Sequence, residues 1–420
     1  MSQPPAFGKA LKEQEFYLST DDVLLNNGSF GAAPKKVIEA KRQHELIMEN
    51  HPDAWYINGN VRNEAYNTSL EKLANFVRAE KEDIVFVENA TRGVNDALKS
   101  LKLQANDGIL LNNFSYSSIK NIAKQQSETL GAIVHSLDIK FPIPTKEEIV
   151  RQYTEYMDAH PGIKVAIIDH ISSIPSILFP LKELTTECRN RSIITIIDAA
   201  HGPNQVDLDV PSYEADFYIG NLYKWGLTCR GCAFLWTAQS HKERIFPVVT
   251  SNKYKEPYPG DFVWQGTREE GAFTAAFAAF DFIDWLGRAA IRDYTKSLGD
   301  WTVQELSSAW ETEEIGLGED LRAPCLRLVR IPDTKAFPKS IIGATLLGMA
   351  LREDYKIRVR LFFLEQLEEI YVRISLPCYV DREDINKLKE AVLVLKDIEP
   401  EPEKMSILKQ LVEKEKDVCY

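Results

Sequence analysis

The chain has 420 residues, 44% of them hydrophobic, which is enough material for a large core and for two or three domains. Its formal net charge of −12 argues against nucleic acid or an anionic membrane as a partner. The first residues lack the basic start and apolar core of a secretory signal, and the most apolar stretch, 272–280, is too short to cross a bilayer. We therefore expect a cytoplasmic protein that binds neither nucleic acid nor a membrane.

Residues 1–35 are predicted to form an N-terminal arm that packs with the C-terminal domain. The arm is predicted to be irregular apart from one short helix, and the segment LLNNGSFGAAP is typical of turns. From 36 to 271, apolar strand patterns alternate with helical periodicity. Strands are predicted at 84–87, 108–111, 132–137, 165–169, 193–197, 217–219 and 232–236, and helices at 36–50, 67–79, 93–101, 116–130, 146–160 and 181–191. This alternation predicts an α/β domain with a mostly parallel seven-stranded sheet and right-handed crossovers.

After residue 271 the pattern predicts a smaller α+β domain that extends to residue 400. A long helix at 272–288 precedes mixed segments, and a second helix follows at 384–395. The mixed segments are 326–330, 344–352, 356–360 and 370–374. The tail, 401–420, is expected to be peripheral, with a helix at 404–415.

The cysteines point to packing and not to a metal or a disulfide framework. Six cysteines are too few for such a framework in a chain of this length. Cys229 and Cys232 form a CxxC motif, but no second CxxC and no nearby His pair completes a metal site. Cys232 opens the apolar run CAFLW, which favours packing. No metal is predicted.

A lysine and an upstream carboxylate are the chemically most informative pair. Asp198 ends IITIID, and Lys224 follows the run FYIGN at a spacing of 26 positions (224 − 198 = 26). Both follow buried-looking strands, and ligands bind at the carboxyl ends of parallel strands. Pyridoxal phosphate needs a lysine to hold its aldehyde and a carboxylate to keep its pyridine nitrogen protonated. A strand-end carboxylate and a surface lysine are the plain alternatives, and the polar ring of His201 three positions after Asp198 argues against them.

The segment IVFVENATRGVNDAL is typical of a strand, a turn and the start of a helix. The backbone N–H groups of Ala90, Thr91 and Arg92 would point away from that helix start. Unpaired donors and the helix dipole favour a phosphate there, and Thr91 adds a hydroxyl. A helix-capping threonine with no ligand is the alternative. The downstream Asp198 and Lys224 favour the phosphate.

Seven motifs follow one another along the chain: NNGSFG, ENATRGVN, DHISS, IDAAHG, GNLYKWG, WQGTR and YVRIS. Together they resemble fold-type-I pyridoxal-phosphate enzymes of the class-V aminotransferase superfamily. Within it, the likeness is strongest to the isopenicillin N epimerase-like branch, which includes hercynylcysteine sulfoxide lyases and cysteine desulfhydrases. The resemblance extends from about residue 26 to 384. It implies a homodimer with active sites at the subunit interface and a cofactor-binding large domain at 36–271.

The resemblance also implies roles for individual residues. Lys224 matches the lysine that holds the cofactor, Asp198 the partner of the pyridine nitrogen, and His201 a contact on the side of the ring oxygen. Asn221 and Tyr223 match phosphate ligands. Tyr223 departs from the family's commoner histidine before the lysine, although a phenol can donate the same hydrogen bond.

Four further cofactor contacts come from the resemblance. Thr91 and its neighbouring amides match the phosphate cradle, and Tyr116 matches the residue stacked on the ring. Ser173 matches a polar contact to the ring oxygen, although several relatives have Asn there. Thr267 matches a phosphate contact that the other subunit contributes.

Substrate binding is expected to centre on Arg373, which matches the arginine that grips the substrate carboxylate. A guanidinium binds a carboxylate through two parallel hydrogen bonds. Strand alternation puts Arg373 opposite the apolar side chains around it, which is also consistent with a strand arginine facing water. Asn27 and Arg268 are expected to line the same pocket.

These residues leave several reactions open after the Cα proton is removed, namely β-elimination, epimerisation and transamination. A persulfide-forming desulfurase is disfavoured because 337–372 contains no cysteine and Cys325 lies 48 positions before Arg373 (373 − 325 = 48). Epimerisation needs a second acid or base, and Tyr116 is expected to stack on that face. We therefore predict a carbon–sulfur lyase acting on a cysteine-derived amino acid. The alternatives are an epimerase, an enzyme forming C–C or C–N bonds, and a non-catalytic relative.

Overall fold

A computed structural model describes residues 3–399, so the predicted tail helix at 404–415 lies outside the described residues. The strands are β1 (Val23–Leu24), β2 (Ile84–Val87), β3 (Gly108–Asn112), β4 (Ile133–Leu137), β5 (Ile163–Asp169), β6 (Ile194–Asp198), β7 (Phe217–Asn221), β8 (Ala233–Thr237), β9 (Leu326–Arg330), β10 (Ile357–Arg358), β11 (Arg360–Leu364) and β12 (Glu369–Ser375). The α-helices are α1 (Lys9–Glu15), α2 (Asn27–Phe30), α3 (Lys35–Asn50), α4 (Asn60–Val77), α5 (Ala90–Ser100), α6 (Ser117–Leu130), α7 (Lys146–Ala159), α8 (Leu181–Asn190), α9 (Leu222–Trp225), α10 (Gly260–Val263), α11 (Gly271–Thr274), α12 (Ala276–Leu286), α13 (Arg288–Trp310), α14 (Ile341–Tyr355) and α15 (Arg382–Asp397).

Seven strands form one sheet in the order β2-β8-β7-β6-β5-β3-β4, which confirms the predicted α/β fold and its mostly parallel sheet. Only β8 runs antiparallel to its neighbours, β2 and β7. Its connection from β7, residues 222–232, is too short for a parallel crossover, which takes a dozen or more residues. The inner strands are buried along almost their whole length, as expected for strands covered on both faces.

A second, three-stranded antiparallel sheet has the order β11-β12-β9. In its register, Arg360 lies opposite Arg373. The N-terminal strand β1 pairs in parallel with β10, so residues near the start of the chain lie beside this second sheet. The short helix α2 follows β1 directly and thereby reaches the same region.

The predicted helix at 272–288 was wrong in its extent. The structure has α11 and α12 there, and then α13, a helix of 23 residues that the sequence reading missed. Gly287, with φ of 88°, separates α12 from α13. The buried face of α13 includes Thr295, Gly299 and Thr302, and this polar content concealed its amphipathic spacing.

No helix within residues 3–399 has both the length and the apolar content needed to cross a membrane.

The core predicts a clear contrast between two leucines. Leu73 in α4 is 0% exposed, whereas Leu130 at the end of α6 is 41% exposed. Leu73→Ala should lower the free energy of unfolding by about 2–5 kcal/mol, because it leaves a cavity. Leu130→Ala should cost less than about 1 kcal/mol. Denaturant unfolding of both variants measures the difference, and equal losses would contradict the position of the core.

Candidate active site

The site lies where the carboxyl ends of three parallel strands meet. β5 ends at Asp169, β6 at Asp198 and β7 at Asn221, and Asp169 lies opposite Asp198 in the register of the sheet. Lys224 follows β7 immediately, in the one-turn helix α9. The strands therefore bring a lysine and two carboxylates to one edge of the sheet, as expected for a ligand site in an open α/β sheet.

Lys224 lies beside a neutral imidazole. Its Nζ is 3.2 Å from His201 Nε2, while Trp225 Nε1 donates a hydrogen bond of 3.3 Å to His201 Nδ1. Since indole nitrogen only donates, Nδ1 accepts, and the proton of the neutral ring lies on Nε2. Burial holds the pKa of His201 well below its usual range, and the positive charges of Lys224 and Arg373 lower it further. The Nε2–H therefore points at the lysine amine.

The amine of Lys224 is itself shifted toward its neutral form. Burial lowers the pKa of Lys224 to about 8, with Asp198 opposing the shift and Arg373 adding to it. A neutral amine can accept the hydrogen bond from His201 Nε2. Near pH 8, about half of the molecules then carry a lysine with a free lone pair.

Asp198 is 5% exposed, and its carboxylate accepts one hydrogen bond from the described residues, donated by Ala200 N to Oδ1 at 3.0 Å. Burial raises the pKa of Asp198, and the charge of Lys224 acts in the opposite direction. Burial and then the neighbouring Asp198 raise the pKa of Asp169 well above its usual range. A cation placed against Asp198 Oδ2 would favour the ionised form of that carboxylate.

The start of α5 leaves Thr91 free to bind an anion. Ala90 N donates to Asn221 Oδ1 at 2.8 Å, and Arg92 N donates to Asn89 Oδ1 at 2.9 Å. Neither the N–H nor the hydroxyl of Thr91 donates to another residue in the described part of the chain. Of the three amides predicted to bind phosphate, Thr91 is therefore the one that remains available, and Asn221 acts here by fixing the helix start.

Arg373 is 3% exposed, so it does not face water. Its Nη1 donates to Ser173 Oγ at 2.7 Å and its Nη2 to Ser29 Oγ at 2.9 Å and Asn26 Oδ1 at 3.1 Å. Among the described residues, the Nε has no hydrogen-bond partner and no carboxylate forms an ion pair with the guanidinium. A buried cation without a counterion is costly, which makes Arg373 a strong site for an anion.

Asn27 supports the lysine from below. Its Nδ2 donates to the carbonyl oxygen of Lys224 at 2.8 Å, and its Oδ1 accepts from Tyr379 at 2.9 Å. Gly31, at φ of 64°, lies so close that a Cβ would meet the Tyr223 carbonyl oxygen at 1.7 Å. The structure thus places Asn27 beneath the lysine backbone, and the wall of the cavity contains its neighbour Asn26.

A cavity of about 720 Å³ opens above Lys224. Of the predicted residues, Tyr116, Ser173 and Arg373 line it together with the lysine, and the Tyr116 side chain is 45% exposed. Thr267 lies exposed in the loop after α10.

Two predicted residues have other partners. Arg268 forms ion pairs with Glu88 and, at 3.6 Å, with Glu270. Tyr223 is half-buried, and burial raises its pKa to about 12, so its phenol keeps its proton.

The sequence analysis missed several residues of this site. Trp225 orients His201, Asp169 lies opposite Asp198 at the end of the neighbouring strand, and Asn26 and Ser29 hold the guanidinium of Arg373. Asp169 stands at the end of a buried strand, as Asp198 does, and this shared position was a usable signal. The roles of Asn26 and Ser29 depend on contacts with a residue more than 340 positions away, which no local pattern reveals.

The family model for class-V aminotransferases matches residues 23–388. The chain is 27% identical to an L-cysteine desulfhydrase of Arabidopsis thaliana, over 88% of this chain and 87% of that protein. It is 24% identical to the isopenicillin N epimerase of Amycolatopsis lactamdurans, over 88% of this chain and 94% of that protein. The cystine C–S lyase C-DES, solved with its reaction product cysteine persulfide, shares the fold with a TM-score of 0.76 at 18% identity, covering 91% of this chain and 99% of C-DES.

The pKa of Lys224 can be measured by labelling. The rate at which acetic anhydride acetylates Lys224 should rise with pH through a midpoint near 8, because only the neutral amine reacts. Peptide mass spectrometry across a pH series gives this rate. A midpoint near the ordinary value of 10.5 would show that the amine is not shifted.

Proposed function

The chain belongs to the class-V aminotransferase family, and we propose that it is a pyridoxal-phosphate-dependent carbon–sulfur lyase acting on a cysteine-derived amino acid. The observation that carries the proposal is that one cavity contains both the amine of Lys224, with its lowered pKa, and the guanidinium of Arg373, which has no carboxylate partner among the described residues. The amine of Lys224 is suited to take a proton, and the guanidinium of Arg373 is suited to bind a carboxylate. Relatives named as L-cysteine desulfhydrases support the choice of substrate and reaction.

The residues of the site fit pyridoxal phosphate. Oδ2 of Asp198 has no donor among the described residues and is suited to a protonated pyridine nitrogen. Thr91 offers an unused N–H and hydroxyl at a helix start for the phosphate. Tyr116 exposes its ring to the cavity beside Lys224. When bound, the cofactor would hold the substrate through its nitrogen and stabilise negative charge at Cα.

The chain's own residues position the substrate and move its proton. Arg373 binds the α-carboxylate, with Ser173, Ser29 and Asn26 keeping the guanidinium in place. Lys224 Nζ removes the Cα proton, and His201 Nε2–H orients the amine before it acts. The sulfur substituent then leaves Cβ as a thiol, and the aminoacrylate that is released reacts with water to give pyruvate and ammonia. A single base is sufficient for this series of reaction steps.

A desulfurase mechanism, in which a cysteine of the enzyme takes up the substrate sulfur as a persulfide, has no support from the site. It would require a thiol that reaches the substrate sulfur, and no cysteine of the described residues lines the cavity. Cys325 and Cys378 are buried, and burial raises the pKa of each thiol to about 12.

Epimerisation is the second candidate. It needs a proton donor that can reach Cα from the side away from Lys224, and Tyr116 places a phenol in the same cavity. The isopenicillin N epimerases among the relatives support this reading. A single assay that follows both pyruvate and the D/L ratio of the substrate separates the two reactions.

We also propose a homodimer in which Thr267 of each subunit contacts the phosphate in the other site. Exposed apolar side chains on α3 and in the loop after β8 support an interface: Leu46, Ile47, Val248, Val249 and Tyr254.

We also propose a cytoplasmic location for this protein. One of its relatives is named "Probable L-cysteine desulfhydrase, chloroplastic", so under this proposal the two proteins differ in location.

Lys224→Ala should lower the release of pyruvate and ammonia from cysteine conjugates by about 10³-fold, because the base is lost. Lys124→Ala, at a residue whose side chain is 74% exposed on α6, serves as the control and should keep the wild-type rate. Clean D/L interconversion by the wild-type protein without pyruvate would replace the lyase proposal with the epimerase.

Arg373→Lys should raise KM by about 10- to 100-fold, since an ammonium cannot pair with a carboxylate through two parallel hydrogen bonds. Arg151→Lys, on the solvent side of α7 with a side chain 53% exposed, is the matched control. Steady-state kinetics with one cysteine conjugate measures both. An unchanged KM in Arg373→Lys would show that the α-carboxylate binds elsewhere.

A further inference from the structure

Two buried carboxyl groups lie side by side at the edge of the large sheet. Asp169 ends β5 and Asp198 ends β6, and the two are register partners on parallel strands. Paired residues on neighbouring strands project from the same face of a sheet, and the strands are about 4.8 Å apart. Each aspartate is only 5% exposed. The proposed function assigns Asp198 to the ring nitrogen of the cofactor and leaves Asp169 without a role.

The contacts of Asp169 are weak for an ionised carboxylate. Its Oδ2 accepts from Asn112 Nδ2 and from Ser115 Oγ, each at 3.5 Å, whereas ordinary hydrogen bonds span about 2.7–3.2 Å. The Asn112 amide makes its shorter contact, 3.0 Å, with the Tyr153 hydroxyl. Among the described residues, no lysine or arginine forms an ion pair with Asp169. Little therefore offsets the cost of removing a negative charge at this position from water.

Four titratable side chains on α6, α7 and α9 face the two carboxyl groups: Lys120, Tyr153, Tyr223 and Lys224. Burial raises the pKa of both phenols, which therefore stay neutral at physiological pH. Lys120 faces Asp169, but its Nζ donates to the Asn113 carbonyl oxygen at 2.7 Å, and burial lowers its pKa more than Asp169 raises it. The charge of Lys224 acts on Asp198. The repulsion between the two aspartates is thus offset mainly on the side of Asp198.

Two carboxyl groups in this position do not both ionise at neutral pH. Burial and the charge of Asp198 hold the pKa of Asp169 well above its usual range. Adjacent carboxyl groups titrate as a pair, which keeps one proton while the other group ionises. Asp198 forms the better stabilised anion, since Ala200 N donates to its Oδ1 and Lys224 is close. Asp169 is therefore the member of the pair that keeps the proton.

We propose that Asp169 is a positioning residue that holds one exchangeable proton beside Asp198 and releases it to solvent when the protonated ring nitrogen of the cofactor binds Asp198. A cation against Asp198 offsets part of the repulsion within the pair, so Asp169 ionises at a lower pH in the occupied site. The second negative charge then strengthens the hold of the pair on that cation. The inference deepens the proposed function and rests on it, because it names the group that couples cofactor affinity to pH.

The test uses pyridoxine 5′-phosphate, which has the ring nitrogen and the phosphate of the cofactor but no aldehyde. It is titrated calorimetrically into the full-length protein, freed of cofactor, from about pH 6 to about pH 9. The affinity of the wild type divided by that of Asp169→Asn should rise by at least about 5-fold over this range, because only the wild type releases the proton. The ligand and Lys224 titrate in both proteins, so the ratio isolates Asp169. Asp293→Asn, at an exposed aspartate of α13, is the control and should give a constant ratio.

Thermal unfolding of the ligand-free protein gives an independent readout. A carboxyl group whose pKa is raised by folding stabilises the folded state at low pH, and this contribution is lost as the pH rises through the folded value. The melting temperature of Asp169→Asn minus that of the wild type should therefore grow by at least about 2 °C from about pH 5 to about pH 8. The same difference for Asp293→Asn should stay constant.

A constant affinity ratio for Asp169→Asn, or a constant difference in its melting temperature, would overturn the inference. Asp169 would then be ionised throughout or would play no part in binding. Release of pyruvate from cysteine conjugates would in that case leave the lyase function standing. Failure of the wild type to bind pyridoxine 5′-phosphate at any pH would overturn the cofactor assignment and the inference with it.

Discussion

The mechanism that we propose depends on one condition, a neutral amine at Lys224. A protonated lysine has no lone pair, so it can neither react with an aldehyde nor take a proton from carbon. Burial removes the water that would stabilise the ammonium, and the cation of Arg373 opposes a second positive charge. Trp225 contributes indirectly, because its hydrogen bond to His201 leaves the imidazole with a proton aimed at the amine. The fold thus favours, before any substrate binds, the neutral amine that the proposed mechanism requires.

Much of the fold could be predicted because its signals are local. Short apolar runs with β-branched residues marked all seven strands of the large sheet, and Ile84–Val87 has the predicted bounds. The direction of β8 could not be predicted from such runs, since strand pairing depends on partners distant in the chain. The helix α13 was not predicted because Thr and Gly occupy its buried face. At Gly299, the absence of a side chain allows the helix backbone to approach the Pro324 carbonyl oxygen closely. Its packing therefore depends on shape more than on apolar content.

Site residues could be predicted from the sequence only where a reactive or charged residue type follows a pattern that predicts a buried strand. Lys224 and Asp198 stood out because each follows a buried strand, and the structure brings both to one edge of the sheet. Side chains that act through long-range contacts were assigned less well. Asn27 supports the lysine backbone, while the adjacent Asn26 reaches Arg373. Which of two neighbouring asparagines faces the cavity depends on the short helix α2, and a turn-like sequence does not specify that rotation.

The covalent role of Lys224 can be tested most directly on the purified protein. Treatment with borohydride in the presence of pyridoxal phosphate, followed by peptide mass spectrometry, identifies the lysine that carries the reduced cofactor. We expect the added phosphopyridoxyl mass on the peptide that contains Lys224. The account is contradicted if that peptide stays unmodified, whether another lysine carries the group or none does.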